Sequence, residues 1–485
     1  LQGWPPIQRG EHTLILAPTG SGKTLAAFLW GIDQLFRALA DEKAPDDEPG
    51  VRLVYVSPLK ALNNDVYRNL RRPLAGIRNT ATELGLDLPS IRVAVRSGDT
   101  PQRERRAMLK EPPHILITTP ESLYLMLTSP KAREMFRTVH TVIVDEIHTL
   151  AGNKRGVHLA LSLERLASLA DQPVQRLGLS ATIQPLEEVA RFLGGSAWVG
   201  EGEDRVLARR PVTIVDAGYH KELDLKVATP IEDFRSLPGN SVWPMVVARV
   251  LDLVRQHKTT LVFTNNRRLA EQTADRLNEQ MAAEAEGRAT GLIDGGVVKG
   301  IGLMATGRGL AASTPGVVPV PVHHGSVAKE ARLEMERQLK AGELPVLVGT
   351  SSLELGIDIG SVDLIVQLQS PKSVAQGLQR VGRSGHLVRQ TSKGRIFPTH
   401  REDFVEAAAV AGGMLRGEVE PTHTPRHPLD VLAQQIVAMV AVETQDVQAL
   451  YEQVRCAYPY TDLTWRAYQA TLEMLAGRYP SQSYR

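Results

Sequence analysis

The 485-residue chain contains one cysteine, Cys456, which excludes an intrachain disulfide and any cysteine-based zinc site. So thiol-poor a chain suits a reducing compartment, and a cytoplasmic location is expected. It has no run of 18 apolar residues, so no segment reads as a membrane-spanning helix. Leu1-Gln2-Gly3-Trp4-Pro5-Pro6 lacks the basic start and apolar stretch of a signal peptide. An initiator Met is missing too, and both ends read as cut. Neither charge is in excess: 56 basic residues face 54 acidic ones. Affinity for nucleic acid would therefore have to come from a local channel. No internal repeat is visible. With 42% apolar and 23% charged residues the composition is that of a globular protein, and the length suggests roughly three domains.

Apolar strand-like runs alternate with helical patterns through two stretches. The first holds Leu14–Leu16, Leu53–Val56, Val93–Val95, Ile115–Thr118, Val142–Val144 and Leu177–Leu179; the second holds Leu261–Phe263, Val346–Val348 and Leu364–Gln367. Such alternation predicts two α/β units with mostly parallel sheets, over residues 1–200 and 244–412. Residues 201–243 read as a linker with extended pieces at Pro211–Val215 and Asp224–Val227. Residues 283–317, rich in Gly, Ala and Met, read as a flexible insertion, and the acidic stretch Asp41–Glu48 as a loop. From 413 to 485 only helical patterns remain, beginning with the stripe Leu429, Leu432, Ile436 and Val440.

Ala17-Pro18-Thr19-Gly20-Ser21-Gly22-Lys23-Thr24 lies between an apolar run and a helical pattern. It reads either as an ordinary strand–turn–helix junction or as a phosphate cradle. In a cradle the N–H groups of Thr19, Gly20, Ser21 and Gly22 and the helix dipole hold phosphates, Lys23 reaches the β/γ-phosphates and Thr24 ligates Mg²⁺. The strand Val142-Ile143-Val144 ends in Asp145 and Glu146. There Asp145 can hold Mg²⁺ through water, and Glu146 can polarise a water attacking the γ-phosphate. In Gln379-Arg380-Val381-Gly382-Arg383 an arginine can stabilise charge on the transferring phosphate. Taken alone, the acids suit a solvated strand end and the arginines a helix start; taken with the cradle they point to hydrolysis of a nucleoside triphosphate.

The order of these motifs resembles a superfamily 2 helicase. Between and after them come Ser57-Pro58-Leu59-Lys60-Ala61-Leu62, Thr118-Thr119-Pro120-Glu121-Ser122, Ser180-Ala181-Thr182, Val262-Phe263-Thr264-Asn265-Asn266-Arg267, His323-His324-Gly325-Ser326 and Thr350 to Asp358. Finer features are similar to the large helicase-related (Lhr) family: Asp145-Glu146-Ile147-His148, Tyr55 to Asp65, Leu261 to Arg268, His427 to Gln435 and Ala457-Tyr458-Pro459-Tyr460. The resemblance runs over nearly the whole chain. It implies an α/β fold of two RecA-like P-loop NTPase lobes followed by a partial winged-helix domain at 413–485. It also implies ATP and Mg²⁺ in a cleft, and 3′-to-5′ translocation on single-stranded DNA. Displacement of the paired strand from DNA:DNA or RNA:DNA duplexes and a role in DNA repair are implied too.

For single residues the resemblance implies that His148, Ser180 and Thr182 couple the γ-phosphate to lobe movement, and that Gly356 and Asp358 contact the nucleotide. Lys60, Thr119, Asn265, His324, Ser326 and Ser351 suit a phosphate track that binds one strand without reading bases. Each suits equally a helix cap or turn, and His324 an interior histidine. His386 stands where related motors often have a second arginine, so Arg383 takes the finger role ahead of Arg380. The family's adenine-reading Gln aligns just before Leu1. Two other functions stay open: an RNA helicase that separates strands locally, and an ATP-binding scaffold without turnover.

Overall fold

The computed structural model describes every residue except 1, 18–20, 41–49, 182–183, 218–221, 230–240, 288–315, 355–359, 386–389 and 479–485. The chain divides into two compact units. Leu1–Ala17, Gly22–Gly218 and Pro421–Arg485 form the first, and Tyr219–Glu420 is the body of the second.

The first unit is built on a seven-stranded parallel sheet. Its strands are β1 (His12–Leu16), β2 (Leu53–Val56), β3 (Val93–Arg96), β4 (Ile115–Thr118), β5 (Thr141–Val144), β6 (Gln175–Ser180) and β9 (Val212–Asp216), in the order β3-β4-β2-β5-β6-β1-β9. An antiparallel pair, β7 (Ser196–Val199) and β8 (Val206–Arg209), stands apart. Every residue of β2, β4 and β5 is buried, because helices cover both faces of a parallel sheet. Alternate side chains therefore enter two different cores. Leu14, Val54, Leu116 and Val142 pack on one face, and Ile15, Tyr55, Ile117 and Ile143 on the other. The second face is covered by the helices Lys23–Ala40 and Lys60–Glu83, which supply Phe28, Ile32, Leu62 and Val66.

The second unit carries a six-stranded parallel sheet of β10 (Leu223–Val227), β11 (Thr260–Phe263), β12 (Val322–His323), β13 (Val346–Gly349), β14 (Leu364–Leu368) and β15 (Ser392–Phe397), ordered β10-β15-β14-β11-β13-β12. Residues 201–243, read from sequence as a linker, supply strands to both sheets: β9 pairs with β1 and β10 with β15. Their alternation is too short to reveal this, since an edge strand needs only one partner. The helix Arg401–Arg416 crosses the boundary read at 412 and packs on the helix Val374–Val381 of its own unit. Most of the 283–317 insertion and all of the acidic stretch Asp41–Glu48 lie outside the described residues.

Among the described residues, the buried apolar side chains of the segment after Pro421 join the core of the first unit. Val431, Leu432, Ile436 and Met439 of the helix Leu429–Val440, with Leu450, Tyr451 and Val454 of Val447–Cys456, join the cluster on the first face of the seven-stranded sheet. Polar ties fix the register. Buried Gln435 accepts from Arg165 at 2.9 Å and donates to Ser162 Oγ at 3.1 Å, and Tyr458 donates to Glu188 at 2.7 Å. Leu432→Ala should cost about 2–5 kcal/mol of unfolding free energy by opening a cavity in this shared core. Urea denaturation followed by hydrogen exchange should show protection lost in Leu429–Val440 and in the facing helix Lys154–Leu169 together.

Candidate active site and nucleic-acid track

Three adjacent strands of the first sheet, β5, β6 and β1, end at the residues read as nucleotide machinery. After β1 the described chain resumes at Ser21 and Gly22; Gly22 has φ +81°, a left-handed conformation that glycine adopts without strain. Lys23 opens the helix Lys23–Ala40, and its buried ammonium donates to the Ala17 carbonyl at 3.3 Å. It lies 3.9 Å from Glu146 Oε1. Thr24 follows it in the first helical turn.

After β5 the chain turns at Glu146, a non-glycine residue with φ +49°. That turn lets the Glu146 N–H donate to Asp145 Oδ1 at 2.8 Å. The Tyr55 hydroxyl donates to the other oxygen, Oδ2. Both carboxylates are buried. Burial and the neighbouring Glu146 push Asp145 up to about 6, against the pull of Lys23 and the Tyr55 hydroxyl. Two buried carboxylates lie beside one lysine, and carboxylate oxygens are donors that suit a hard divalent cation such as Mg²⁺.

His148 connects this pair to β6. Its Nδ1 accepts from the Ala181 N–H at 3.4 Å and meets Ser180 Oγ at 3.1 Å. An N–H aimed at Nδ1 places the proton of a neutral ring on Nε2, which faces Glu146 Oε2 at 3.5 Å. Burial lowers the imidazole's pKa, so the neutral form is favoured. Thr19, Gly20, Thr182, Gly356, Asp358 and His386 lie outside the described residues.

In the second unit the two arginines are used differently. Arg380 is 2% exposed and bonds Glu354 through Nε at 2.6 Å, Gln367 at 2.7 Å and Asn265 at 2.9 Å, with its guanidinium over the Phe263 ring. Arg383 donates to the Glu354 carbonyl from Nε at 3.1 Å and from a terminal nitrogen at 2.5 Å. Glu354, which no sequence argument singled out, thus anchors both.

The six track candidates all follow the carboxyl ends of strands that neighbour one another within their own sheets. Lys60 and Thr119 follow β2 and β4; Asn265, Ser351 and the pair His324 and Ser326 follow β11, β13 and β12. Lys60 is half exposed and pairs with Asp99 at 2.6 Å. Thr119 is a buried N-cap that accepts from the Ser122 N–H. Asn265 donates to the Ser370 carbonyl at 2.7 Å as well as accepting from Arg380. His324 accepts from the Ser326 N–H and faces Glu271 at 3.1 Å. Exposed Ser326 accepts from Arg267 at 2.5 Å, and Ser351 is exposed at the start of a short 3₁₀ turn. Arg155, also absent from the sequence reading, bonds Glu121 and the Pro58 carbonyl and so ties together the loops after β2 and β4.

The arginine geometry separates fold from chemistry. Arg380→Ala should cost about 3–5 kcal/mol, because Glu354 would stay buried without its partner. Arg383→Ala removes charge-assisted bonds to a carbonyl and should cost less, about 1.5–3 kcal/mol. Chemical denaturation of both variants reads the difference, and equal losses would mean that Arg383 is as structural as Arg380.

Comparison with known proteins gives a consistent picture. Residues 1–191 match the DEAD/DEAH box helicase family, 309–387 the helicase conserved C-terminal domain, and 412–485 the winged helix domain of the large helicase-related protein. An Lhr helicase and probable uracil glycosylase of Mycolicibacterium smegmatis is 50% identical over 481 residues, covering 99% of this chain and 31% of that protein. The ATP-dependent helicase Lhr-Core of Methanocaldococcus jannaschii is 44% identical over 471 residues, covering 97% of this chain and 50% of its own length. Thus the chain spans a third to a half of these relatives. The solved structure of Mycobacterium smegmatis helicase Lhr bound to ssDNA and AMP-PNP superposes with a TM-score of 0.82 at 49% identity, covering 97% of this chain and 55% of that one.

Proposed function

This chain belongs to the Lhr family of superfamily 2 helicases, and we propose that it is an ATP-driven motor that translocates 3′ to 5′ on single-stranded DNA and displaces the paired DNA or RNA strand. The observation that carries the reading is Lys23, Asp145 and Glu146 brought together at adjacent strand ends, in a chain that matches an Lhr helicase over nearly its whole length. ATP is the proposed fuel. Thr24 and Asp145 would hold Mg²⁺, whose charge would offset that of the phosphates.

In this reading Lys23 and the N–H groups of Thr19, Gly20, Ser21 and Gly22 bind the phosphates, and Glu146 orients and polarises the attacking water. His148, its ring fixed by Ser180 and the Ala181 N–H beside Glu146, couples the γ-phosphate with Ser180 and Thr182 to lobe movement. Arg383 stabilises charge on the transferring phosphate, Arg380 holds the turn that presents it, and Gly356 and Asp358 complete the nucleotide contacts. A role in DNA repair and a cytoplasmic location are further parts of the proposal.

ATP turnover measured with ssDNA, with ssRNA and without polymer tests it, together with strand displacement on 3′-tailed and 5′-tailed duplexes. Stimulation by ssDNA and displacement from 3′ tails are expected. Stimulation by RNA alone would favour local RNA strand separation, and absence of turnover a scaffold. Glu146→Gln should retain ATP and DNA binding and lose hydrolysis, since the water loses its polarising carboxylate while Lys23 and Asp145 remain. Near-normal steady-state turnover in that variant would remove Glu146 from the mechanism.

The proposed track runs over Lys60, Thr119, Asn265, His324, Ser326 and Ser351. Lys60 must exchange Asp99 for a phosphate when DNA binds. Asp99→Asn should therefore raise ssDNA affinity about two- to fivefold, the worth of an exposed ion pair. Lys60→Ala should reduce the slope of log affinity against log salt by about 0.7, the loss of one single-strand phosphate contact. Fluorescence anisotropy over a salt series reads both; an unchanged slope would leave Lys60 a solvated loop residue.

A further inference from the structure

β2 is buried on both faces, and three of its four residues are aliphatic: Leu53, Val54 and Val56. The fourth, Tyr55, puts a hydroxyl into the same interior. An aliphatic residue or Phe would fill this space without the cost of desolvating a hydroxyl, so the hydroxyl needs a partner. That partner is Asp145. The contact follows from parallel register: Tyr55 sits opposite Ile143, Val56 opposite Val144, and the Asp145 N–H donates to the Val56 carbonyl at 2.9 Å. With a two-residue repeat, Ile143 and Asp145 face the same side of the sheet as Tyr55. On that side the Tyr55 ring stacks on Phe28, with centroids 5.2 Å apart and planes 25° apart. Phe28 belongs to the helix that opens at Lys23. Tyr55 is therefore packed against the phosphate-binding helix at its ring and bonded to the acid after β5 at its hydroxyl.

We propose that Tyr55 is a positioning residue for the metal-nucleotide site, holding the Asp145 carboxylate in the orientation that receives Mg²⁺ and tying it to the helix that begins at Lys23. The proposal rests on the reading of Asp145 as a Mg²⁺ residue. With Oδ1 held by the Glu146 N–H and Oδ2 by Tyr55, the carboxylate plane is fixed from both ends. Each oxygen keeps a second lone pair for a water of the metal's shell. A Phe at position 55 would keep the stack on Phe28 and release one end of that plane.

The test is equilibrium binding of a fluorescent non-hydrolysable ATP analogue to the full chain, titrated with Mg²⁺ and repeated in EDTA. The variants are Tyr55→Phe, Asp145→Asn and the double mutant, each with a thermal melt. In Tyr55→Phe the half-saturating Mg²⁺ concentration should rise about tenfold, the lower range for loss of an outer-shell partner. Nucleotide affinity in EDTA should stay unchanged, and the melt should remain cooperative. In the double mutant Tyr55→Phe should add nothing to Asp145→Asn, because its effect passes through that carboxylate. An unaltered Mg²⁺ dependence in Tyr55→Phe would overturn the proposal. So would an equal fall in binding with and without Mg²⁺, the mark of a packing role. If Asp145→Asn itself left the Mg²⁺ dependence unchanged, the assignment of Asp145 would fail and the proposal with it.

Discussion

A parallel sheet covered on both faces admits charge only where it is paired, and this constraint orders both units. β2, β4, β5, β11, β13 and β14 are buried along their full lengths, so chemistry can begin only where a strand stops. Parallel strands all stop on the same side. The carboxyl ends of β1, β5 and β6 bring Lys23, Asp145, Glu146, His148 and Ser180 together, and the ends of β2 and β4 place Lys60 and Thr119 farther along the same sheet edge. The second sheet repeats the arrangement with Asn265, Ser351, His324 and Ser326. Ligand crevices outside the carboxyl ends of strands are the general rule for such sheets.

Charges that do lie inside are held in networks rather than isolated pairs. Glu164, 4% exposed, accepts from both Arg176 and Arg210, at 2.7 and 2.9 Å. Glu354 anchors Arg380 and Arg383 in the other unit. In each of these sites one glutamate is shared by two arginines, and both sites serve the fold. In the cluster of Asp145, Glu146 and Lys23 two acids lie beside one base, and burial, together with the charge of Glu146, pushes Asp145 up.

The C-terminal segment shows how tertiary packing redraws a boundary. Its helices carry an apolar stripe in sequence order after the second unit, yet that stripe completes the core of the first. Aromatic packing among Tyr451, Trp465 and Tyr468 stiffens the segment, and Gln435 is locked to the helix Lys154–Leu169.

The sequence alone determined the strand–helix alternation, the glycine-rich turn before Lys23, the acids after β5 and the helices that follow residue 428. Each is a local pattern: a buried strand is a short apolar run, a phosphate loop a fixed spacing of glycines and lysine. What it left hidden depends on pairing across distance. β15, Ser-Lys-Gly-Arg-Ile-Phe, does not read as a strand; its place between β10 and β14 makes it one. Pro211–Val215 and Asp224–Val227 read as extended pieces, but which sheet each joins is settled by its partner strand. Arg380 and Arg383 look alike in their motif. Only the fold buries the first against Glu354, Gln367 and Asn265 and turns the second to a carbonyl. Tyr55 and Asp145 lie 90 residues apart, and nothing near either announces the other. Their contact exists because parallel register sets β2 beside β5 with matching faces, a relation that no local pattern encodes.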